Sequence, residues 1–317
     1  MTDKPKSGPK TSATPSAPAP APAPAPAPVP PAPAKARSTS KTPLFAASHA
    51  ARYQRQDLIK DIEERVPGRR LLCFVGGREA EIDRDDTAGF VDLLYHIHPG
   101  DHVDLMLHTI GGDIDAAEKL IKLVQAKVGE NGTIRAIVPD FAKSAGTLMA
   151  LGANTIVMSD SSELGAIDPQ FYLKDGQGND ICHSVLRYLD AYRQHAEALR
   201  ANPEDPVAQL MFDKFDPNLV RKFEGIRDRA STLAEDLLKR RGKPYSTIAG
   251  NLMDIARWKS HNQMISAQDA VEIGLDVEVM SSEDDIWRLY WELYCHLSLA
   301  IKAKQKVFES AFVSLVL

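Results

Sequence analysis

The chain has 317 residues, and 13 of its 21 prolines lie among the first 43. Those 43 residues hold six Lys or Arg and one acidic residue, which leaves 32 basic and 42 acidic residues, a formal charge of −10, in the remaining 274. So acidic a body argues against nucleic acid as the main ligand, because phosphate binding needs a local excess of basic side chains. The three cysteines are odd in number and far apart, which excludes a disulfide scaffold and favours a reducing compartment.

No run of 18 apolar residues occurs, and the N-terminus lacks the uninterrupted apolar stretch of a signal peptide. We therefore expect a soluble, cytoplasmic protein without a membrane span. Composition and pattern predict three segments: a disordered Ala/Pro-rich tail over 1–43, a main α/β domain over 44–282 and a C-terminal amphipathic helix over 283–317.

The tail is almost pure Ala-Pro repeat from Pro15 to Pro33. Such a sequence offers too little side-chain area to build a core and favours extended polyproline II. We interpret it as a semi-rigid spacer. A proline-rich ligand for an aromatic groove is the alternative.

Strands and helices alternate through the first half of the main domain. Hydrophobic periodicity and turn residues predict helices over 57–66, 86–96, 115–128 and 145–151, and strands over 71–77, 103–109, 133–138 and 155–158. This alternation indicates right-handed crossovers and a mainly parallel sheet.

Long helices dominate the second half. They are predicted over 180–201, 218–241, 247–258 and 266–273. In the segment 283–317, the predicted helix carries one apolar stripe, typical of a core or subunit contact, formed by Ile286, Leu289, Tyr290, Leu293, Tyr294, Leu297 and Ile301.

A pair of glycines, Gly111 and Gly112, follows the strand that ends at Thr109. Glycines between a strand and a helix can leave backbone N–H groups pointing into a cleft, which makes a nest for an oxyanion or a phosphate. A tight turn that needs glycine only for its φ angles is the alternative.

The next strand leads through a sharp turn into a small-residue helix that begins at Ser144. A nucleophilic serine is often held on such a turn, with the N–H of the following residue, here Ala145, helping to bind the oxyanion. The pattern is half of a nucleophile elbow, since Gly146 lies two residues after the serine but Ala142 two before it. A simple helix N-cap is the alternative role of Ser144.

Four blocks of sequence together resemble the serine dehydrogenase proteinase family, distant relatives of ClpP in the ClpP/crotonase superfamily. They are Thr109-Ile110-Gly111-Gly112, Lys143-Ser144-Ala145-Gly146-Thr147, Glu163-Leu164-Gly165-Ala166-Ile167-Asp168-Pro169-Gln170, and Ser260-His261 with the segment 265–275. The resemblance covers roughly residues 60–280. It implies a ClpP/crotonase-like twisted, mainly parallel sheet with crossover helices and a helical C-terminal half. It also implies that 44–282 is a serine protease domain that hydrolyses peptide bonds through an acyl-enzyme.

The resemblance also implies residue roles. Ser144 is the expected nucleophile, Asp168 the orienting acid and His261 the base, with an oxyanion hole formed by Ala145 N–H and by the N–H of Gly112 or Gly111. Imidazole titrates near neutrality and suits the task of general base.

Alternatives to two of these roles remain. Asp168 precedes Pro169 and could be a turn former, while His261 could be a solvated loop residue. Lys143, Lys174 and His183 are alternative bases.

The expected partners are a polypeptide substrate and further copies of the chain in a homo-oligomer, and a separate unfoldase is left open. No cofactor is expected, because neither a Walker-type loop nor a dinucleotide-binding glycine motif occurs. No metal is expected either, since no Cys or carboxylate completes a zinc spacing around His96, His98, His102 and His108. A catalytically silent scaffold and a crotonase-like acyl-thioester-binding protein are the alternative functions.

Overall fold

The computed structural model describes residues 41–239 and 244–317. By its internal contacts the chain divides into residues 1–43 and residues 44–317. The Ala-Pro run from Pro15 to Pro33 lies outside the described residues, so the disorder of the tail stays a prediction.

The strands and helices are numbered in chain order. The strands are β1 (Arg69–Gly76), β2 (His102–His108), β3 (Ile134–Ile137), β4 (Phe141–Ala142), β5 (Thr155–Met158), β6 (Glu163–Leu164), β7 (Gln170–Lys174), β8 (Asp180–Ser184), β9 (Val277–Val279), β10 (Lys306–Glu309) and β11 (Ser314–Val316). The helices are α1 (Pro43–Ser48), α2 (Ala50–Arg65), α3 (Asp86–Leu93), α4 (Ile114–Val128), α5 (Ala145–Leu151), α6 (Val185–Ala201), α7 (Pro206–Phe212), α8 (Pro217–Lys239), α9 (Tyr245–Leu252), α10 (Ala267–Glu272) and α11 (Asp285–Leu299).

A seven-stranded sheet in the order β11-β10-β1-β2-β3-β5-β9 forms the centre of the fold. The five strands from β1 to β9 in this order pair in parallel, and only β10 and β11 run antiparallel to their neighbours. The prediction of a mainly parallel sheet is confirmed. β2 and β3, which lead into the Gly-Gly and Ser144 turns, are direct neighbours, so both turns leave the same carboxyl edge of the sheet.

Helices cover both faces of this sheet. One face packs against helices α3, α4, α5 and α8 in a core that includes Phe90, Leu120 and Leu148. The other face packs against α2 and α11 through residues such as Ile59 and Trp287. Because both faces are covered, β1 is a continuous apolar run rather than an alternating one.

The helix predicted over 180–201 begins only at Val185, and its first five predicted residues form β8, which pairs with β7 in a separate hairpin. Asp175 closes this hairpin, because its carboxylate accepts hydrogen bonds from the backbone N–H groups of Gln177 and Asn179. Ser184 then caps α6 by accepting from Arg187 N–H. The prediction was wrong here because a cross-strand turn outweighed helical periodicity.

The segment 283–317 is helical only as far as Leu299. It then returns as β10 and β11 at the edge of the main sheet, so the prediction of one amphipathic helix over this segment was too long. Every residue of β10 is buried, and Glu309 lies in an ion pair with Arg55. The sequence did not predict β10 because charged residues stand at both of its ends, so the short apolar run between them shows no strand pattern.

Within 41–239 and 244–317, no helix is long and apolar enough to cross a bilayer.

Candidate active site

The Gly-Gly turn and the Ser144 turn lie in direct contact at the carboxyl edge of the sheet. Thr109 N–H donates to Phe141 O at 3.1 Å, and Lys143 N–H donates to Thr109 O at 3.0 Å. A Cβ added to Gly111 would lie 2.8 Å from Ser144 Cβ, and Gly111 has a φ of +105°. Gly111 is therefore required both for its backbone conformation and for the close approach of the two turns.

Ser144 has a backbone conformation that favours glycine, with φ 50° and ψ −115°. Among the described residues it is the only non-glycine residue with a positive φ. Gly146 N–H donates to Lys143 O at 2.7 Å and closes a tight turn around the serine. Such a conformation costs about 1–3 kcal/mol and is typical of a nucleophile elbow.

The Ser144 side chain makes no capping hydrogen bond to α5. An N-cap serine has an extended backbone and accepts a hydrogen bond from the first turn of the helix, and Ser144 does neither. The N-cap interpretation is therefore wrong. Within the described parts of the chain, the Ser144 hydroxyl has no hydrogen-bond partner, so the oxygen is free to react.

The backbone N–H groups of Gly112, in the Gly-Gly turn, and of Ala145, directly after Ser144, donate no hydrogen bond to any described residue. Ile82 holds the Gly112 segment, since Ile82 N–H donates to Gly111 O at 2.7 Å and Asp113 N–H donates to Ile82 O at 2.9 Å. Gly111 N–H, in contrast, donates to Thr109 Oγ1 at 3.1 Å. Of the two predicted glycine donors, Gly112 is thus the one whose N–H is free.

The amine of Lys143, one of the alternative bases, donates hydrogen bonds to two oxygen atoms. Its Nζ lies 2.6 Å from Glu163 Oε2 and 3.1 Å from Leu164 O. Both contacts occupy the Lys143 amine as a donor to backbone and carboxylate oxygens of β6. The contact also fixes β6 against the Ser144 turn.

Thr147 joins the same two segments and was not singled out from the sequence. Its Oγ1 is fully buried and lies 2.7 Å from Ala142 O, and Gly165 N–H donates to it at 3.0 Å. The sequence could not have predicted that the Thr147 hydroxyl links these segments, because both of its partners are backbone groups, which leave no residue-type pattern.

Asp168 is a buried carboxylate whose side chain is 6% exposed. Ser184 Oγ donates to its Oδ1 at 2.7 Å, and Gln170 Nε2 donates to its Oδ2 at 3.0 Å. A surface turn former would face water, so the structure does not support the turn-former interpretation. Neither Ser184 nor the Gln170 contact was expected from the sequence.

His261 lies beside Asp168, with its Nδ1 3.9 Å from Asp168 Oδ2 and 3.2 Å from Gln170 Nε2. The loop is brought there by Leu164 and Ile265, whose backbones exchange hydrogen bonds of 2.9 and 3.1 Å. The His261 side chain is only 25% exposed, so it is not a solvated loop residue. Burial lowers its pKa, while the Asp168 charge raises it and the Lys143 charge adds to the lowering.

The two remaining alternative bases lie on the β7–β8 hairpin. Lys174 Nζ donates to Asp180 Oδ1 at 2.9 Å on the surface, and His183 pairs across the hairpin with Phe171. In the described part of the chain, neither side chain forms a hydrogen bond or ion pair with the predicted triad.

The four histidines considered for a metal have separate environments. His96 packs against Phe312, His98 lies near Asp101, His102 Nδ1 contacts Thr133 Oγ1 and His108 lies near Asp140. Over 41–239 and 244–317, no group of three or more His, Cys, Asp or Glu side chains is arranged to hold a metal ion.

Comparison with known proteins gives two relatives in Methanocaldococcus jannaschii, both uncharacterized. One is 30% identical over 185 residues, which is 57% of this chain and 55% of the relative, and the other is 34% identical over 125 residues, 36% of this chain and 39% of the relative. The chain thus spans about half or less of the length of each.

Two solved structures of a membrane-bound stomatin-specific protease, 1510-N, also match. A serine-to-alanine mutant is 16% identical, with a TM-score of 0.41 over 68% of this chain and 81% of the other. A lysine-to-alanine mutant in complex with a substrate peptide is 14% identical, with a TM-score of 0.39 over 71% and 99%.

A family model matches residues 83–190, and its description is a ClpP-like SDH-type serine proteinase. The matched segment holds the Gly-Gly turn, the Ser144 turn and Asp168, whereas His261 lies beyond it. The match confirms the resemblance drawn from the sequence. Over this segment, about a third of the chain, the sequence is similar to ClpP-like SDH-type serine proteinases.

Proposed function

We propose that this protein is a serine peptidase that hydrolyses peptide bonds through an acyl-enzyme on Ser144. The strained backbone of Ser144 carries the proposal. Glycine would take that conformation without cost, so a serine there indicates that the hydroxyl is needed. A silent scaffold would have no use for this strain, and an acyl-thioester-binding protein of crotonase type needs no nucleophile.

The proposed reaction uses five groups of the site. His261 takes the Ser144 proton as Oγ attacks the peptide carbonyl carbon, and the N–H groups of Gly112 and Ala145 stabilise the oxyanion. The protonated imidazole then gives its proton to the leaving amine as the C–N bond breaks. In the second step His261 takes a proton from water as the water oxygen attacks the acyl carbon, and it returns that proton to Ser144 Oγ as the ester C–O bond breaks. Asp168 stabilises the imidazolium in both steps.

His261 is preferred over Lys143 as the base because of their contacts. Lys143 Nζ already donates to the Glu163 carboxylate and to Leu164 O, so both contacts engage its amine. His261 has a lowered pKa, so it is neutral at pH 7 and able to accept a proton.

The substrate class that this chemistry suits is a polypeptide. A homo-oligomer, a separate unfoldase and a cytoplasmic location remain predictions from the sequence.

The test is labelling with a fluorophosphonate probe, which forms an Oγ–P bond and releases fluoride. We expect Ser144→Ala to abolish labelling and His261→Ala to slow it by roughly 10³-fold or more, because members of a catalytic unit act together. Asp168→Asn slows it while leaving the fold intact. Ser282→Ala, which removes an exposed hydroxyl bonded to Asp160, is the matched control and labels normally.

Two outcomes contradict the proposal. Folded protein without any Ser144-dependent adduct favours the scaffold. Normal labelling of His261→Ala, together with loss of labelling in Lys143→Met, makes the enzyme a Ser-Lys type and the assigned base wrong.

A further inference from the structure

Glu81 stands beside the glycine that supplies one of the free N–H groups of the site. Its neighbour Ile82 forms a backbone bridge with Gly112, and a Cβ added to Gly112 would lie 3.1 Å from Glu81 Cβ. The Ile82 side chain is buried in the core, whereas the Glu81 side chain is exposed. Glu81 therefore forms part of the rim of the site, next to the proposed oxyanion donor.

The Glu81 carboxylate forms no hydrogen bond and no ion pair with any residue that the structure describes. The nearest acidic residues on either side of it in the sequence do have cationic neighbours. Glu79 lies 3.6 Å from Arg78, and Asp83 Oδ2 accepts from Lys306 at 2.8 Å. The charge of Glu81 is thus left for a cation from outside the chain.

Tyr172 approaches the same rim from the β7–β8 hairpin. It lies two residues after Gln170, on the same face of β7, and Gln170 Oε1 accepts from Sγ of Cys182, the cross-strand neighbour of Tyr172, at 3.1 Å. Gln170 Nε2 lies 3.0 Å from Asp168 Oδ2 and 3.2 Å from His261 Nδ1, so this face of the hairpin is turned to the site. Tyr172 is 61% exposed there.

The charge of Glu81 reaches the Tyr172 hydroxyl. Cys182 raises the pKa of Tyr172 most, and burial and the charges of Glu81 and Asp180 raise it further. Lys174, on the same face of β7, is already paired with Asp180 at 2.9 Å. A carboxylate and an exposed aromatic ring therefore stand close together, and both attract a cation.

We propose that Glu81 and Tyr172 form a subsite for a basic side chain, so that the site prefers polypeptides with Lys or Arg close to the scissile bond. This inference rests on the proposed function and narrows its substrate class. The carboxylate pairs with the ammonium or guanidinium group, while the ring packs against the aliphatic stem and attracts the charge. The formal charge of −10 on residues 44–317 favours the approach of such a peptide.

The test measures peptide binding to full-length Ser144→Ala protein, which cannot form the acyl-enzyme. Two short alanine peptides with blocked ends are compared, one with a central lysine and one with norleucine in its place. A peptide of alanine can shift its register, so the lysine reaches the subsite on either side of the scissile position. We expect the lysine peptide to bind roughly five- to tenfold more tightly, with a smaller advantage at high salt. Equal Kd values, or no binding of either peptide, overturn the inference.

The variants are made in the same Ser144→Ala background. Glu81→Gln should bring the ratio of the two Kd values close to one, and Tyr172→Ala should lower it, whereas Tyr172→Phe retains the ring and should retain the preference. Glu79→Gln is the matched control, because that carboxylate already faces Arg78, and it leaves the ratio unchanged. A lysine preference that survives Glu81→Gln overturns the inference.

Failure of this inference is distinguishable from failure of the proposed function. If the wild type gives a Ser144-dependent fluorophosphonate adduct while both peptides bind equally, the peptidase proposal stands and only the basic subsite is wrong. If the lysine preference depends on Glu81 but no adduct forms, the subsite stands and the peptidase proposal is wrong.

Discussion

At the scale of single residues, His108 is a buried group outside the proposed mechanism. It ends β2 directly before the Gly-Gly turn, and its ring packs against Phe141 with centroids 4.0 Å apart and the ring planes tilted by 48°. Its Nδ1 lies 3.7 Å from Asp140 Oδ2 and has no hydrogen-bond partner among the described residues. Burial lowers the pKa of His108 to about 4, although the nearby Asp140 charge raises it.

This shift predicts a loss of stability in acid. Because the folded-state pKa lies below the unfolded value of 6.5, the unfolded chain binds a proton first as pH falls from 6.5 to 4. The contribution of His108 is present above pH 6.5 and is reduced by about 2 kcal/mol at pH 5. Between pH 7 and pH 5 the free energy of unfolding, measured in urea, should therefore fall by about 2 kcal/mol less in His108→Gln than in the wild type. Equal pH dependence of both proteins would show that His108 does not titrate as described.

At the scale of elements, the approach of α5 to β2 places the Ala145 N–H. A Cβ on Gly146 would overlap the Thr109 side chain, so only glycine lets the helix lie this close to the strand. The helix is otherwise short and apolar, and all seven of its residues are buried. Its position is therefore set by packing rather than by helix propensity.

Gly146→Ala should displace α5 and slow fluorophosphonate labelling by at least about tenfold, because a donor moved from the oxyanion position loses much of its effect. Gly225→Ala is the matched control, since Gly225 lies in α8 with nothing within 4 Å of an added Cβ. The control should raise stability by roughly 0.5–1 kcal/mol and leave labelling unchanged. Normal labelling of Gly146→Ala would mean that α5 does not position the oxyanion donor.

The elements that the sequence predicted well are those whose signal is local. The short helix Ala145–Leu151 was predicted to the residue, and the alternation that gives the parallel sheet is visible in apolar runs and turn residues. The strand β10 was missed because it pairs with β1, which lies far away in the sequence, and the β7–β8 hairpin was missed because its turn outweighed the helical periodicity of residues 180–184. Lys306 is buried only because Asp83 and Asp86 accept from its ammonium.

The same distinction holds in the site. Ser144, Asp168 and His261 were singled out through motif resemblance, and the structure brings Asp168 and His261 together. Gln170 lies in a quoted motif, yet its contact with His261 joins residues 91 apart in the chain. No spacing rule predicts which atom of an amide will face an imidazole.

At the scale of the whole molecule, the C-terminal strands β10 and β11 extend the central sheet beyond β1. β10 pairs with β1, and Phe308 packs against Phe74 and Phe90 at ring-centroid distances of 5.2 and 6.0 Å. Arg55 of α2 reaches Glu309 in an ion pair whose side chains are 7% and 0% exposed. The strand thus joins the core and the α2 layer.

Removal of β10 and β11 should unfold the protein. Deletion of residues 300–317 exposes the edge of β1 and leaves Arg55 buried without its partner, so we expect no cooperative thermal unfolding. Phe308→Ala is the milder variant and should cost about 3–5 kcal/mol in urea unfolding. The exposed Phe312, 59% accessible, is its matched control, and Phe312→Ala should cost far less. Similar costs for the two would mean that β10 is not part of the core.

The opposite end of the chain should behave differently. Residues 1–43 are rich in proline and alanine and cannot bury enough apolar area to offset an ordering cost of roughly 1–2 kcal/mol per residue. Their prolines also lack the N–H that a strand or helix interior uses. We therefore expect deletion of residues 1–42 to leave the melting temperature and the rate of Ser144 labelling within error of the wild type. A lower melting temperature would make the segment part of the folded unit. A higher labelling rate would mean that it occupies the cleft, because only a segment at the site can suppress the reaction there.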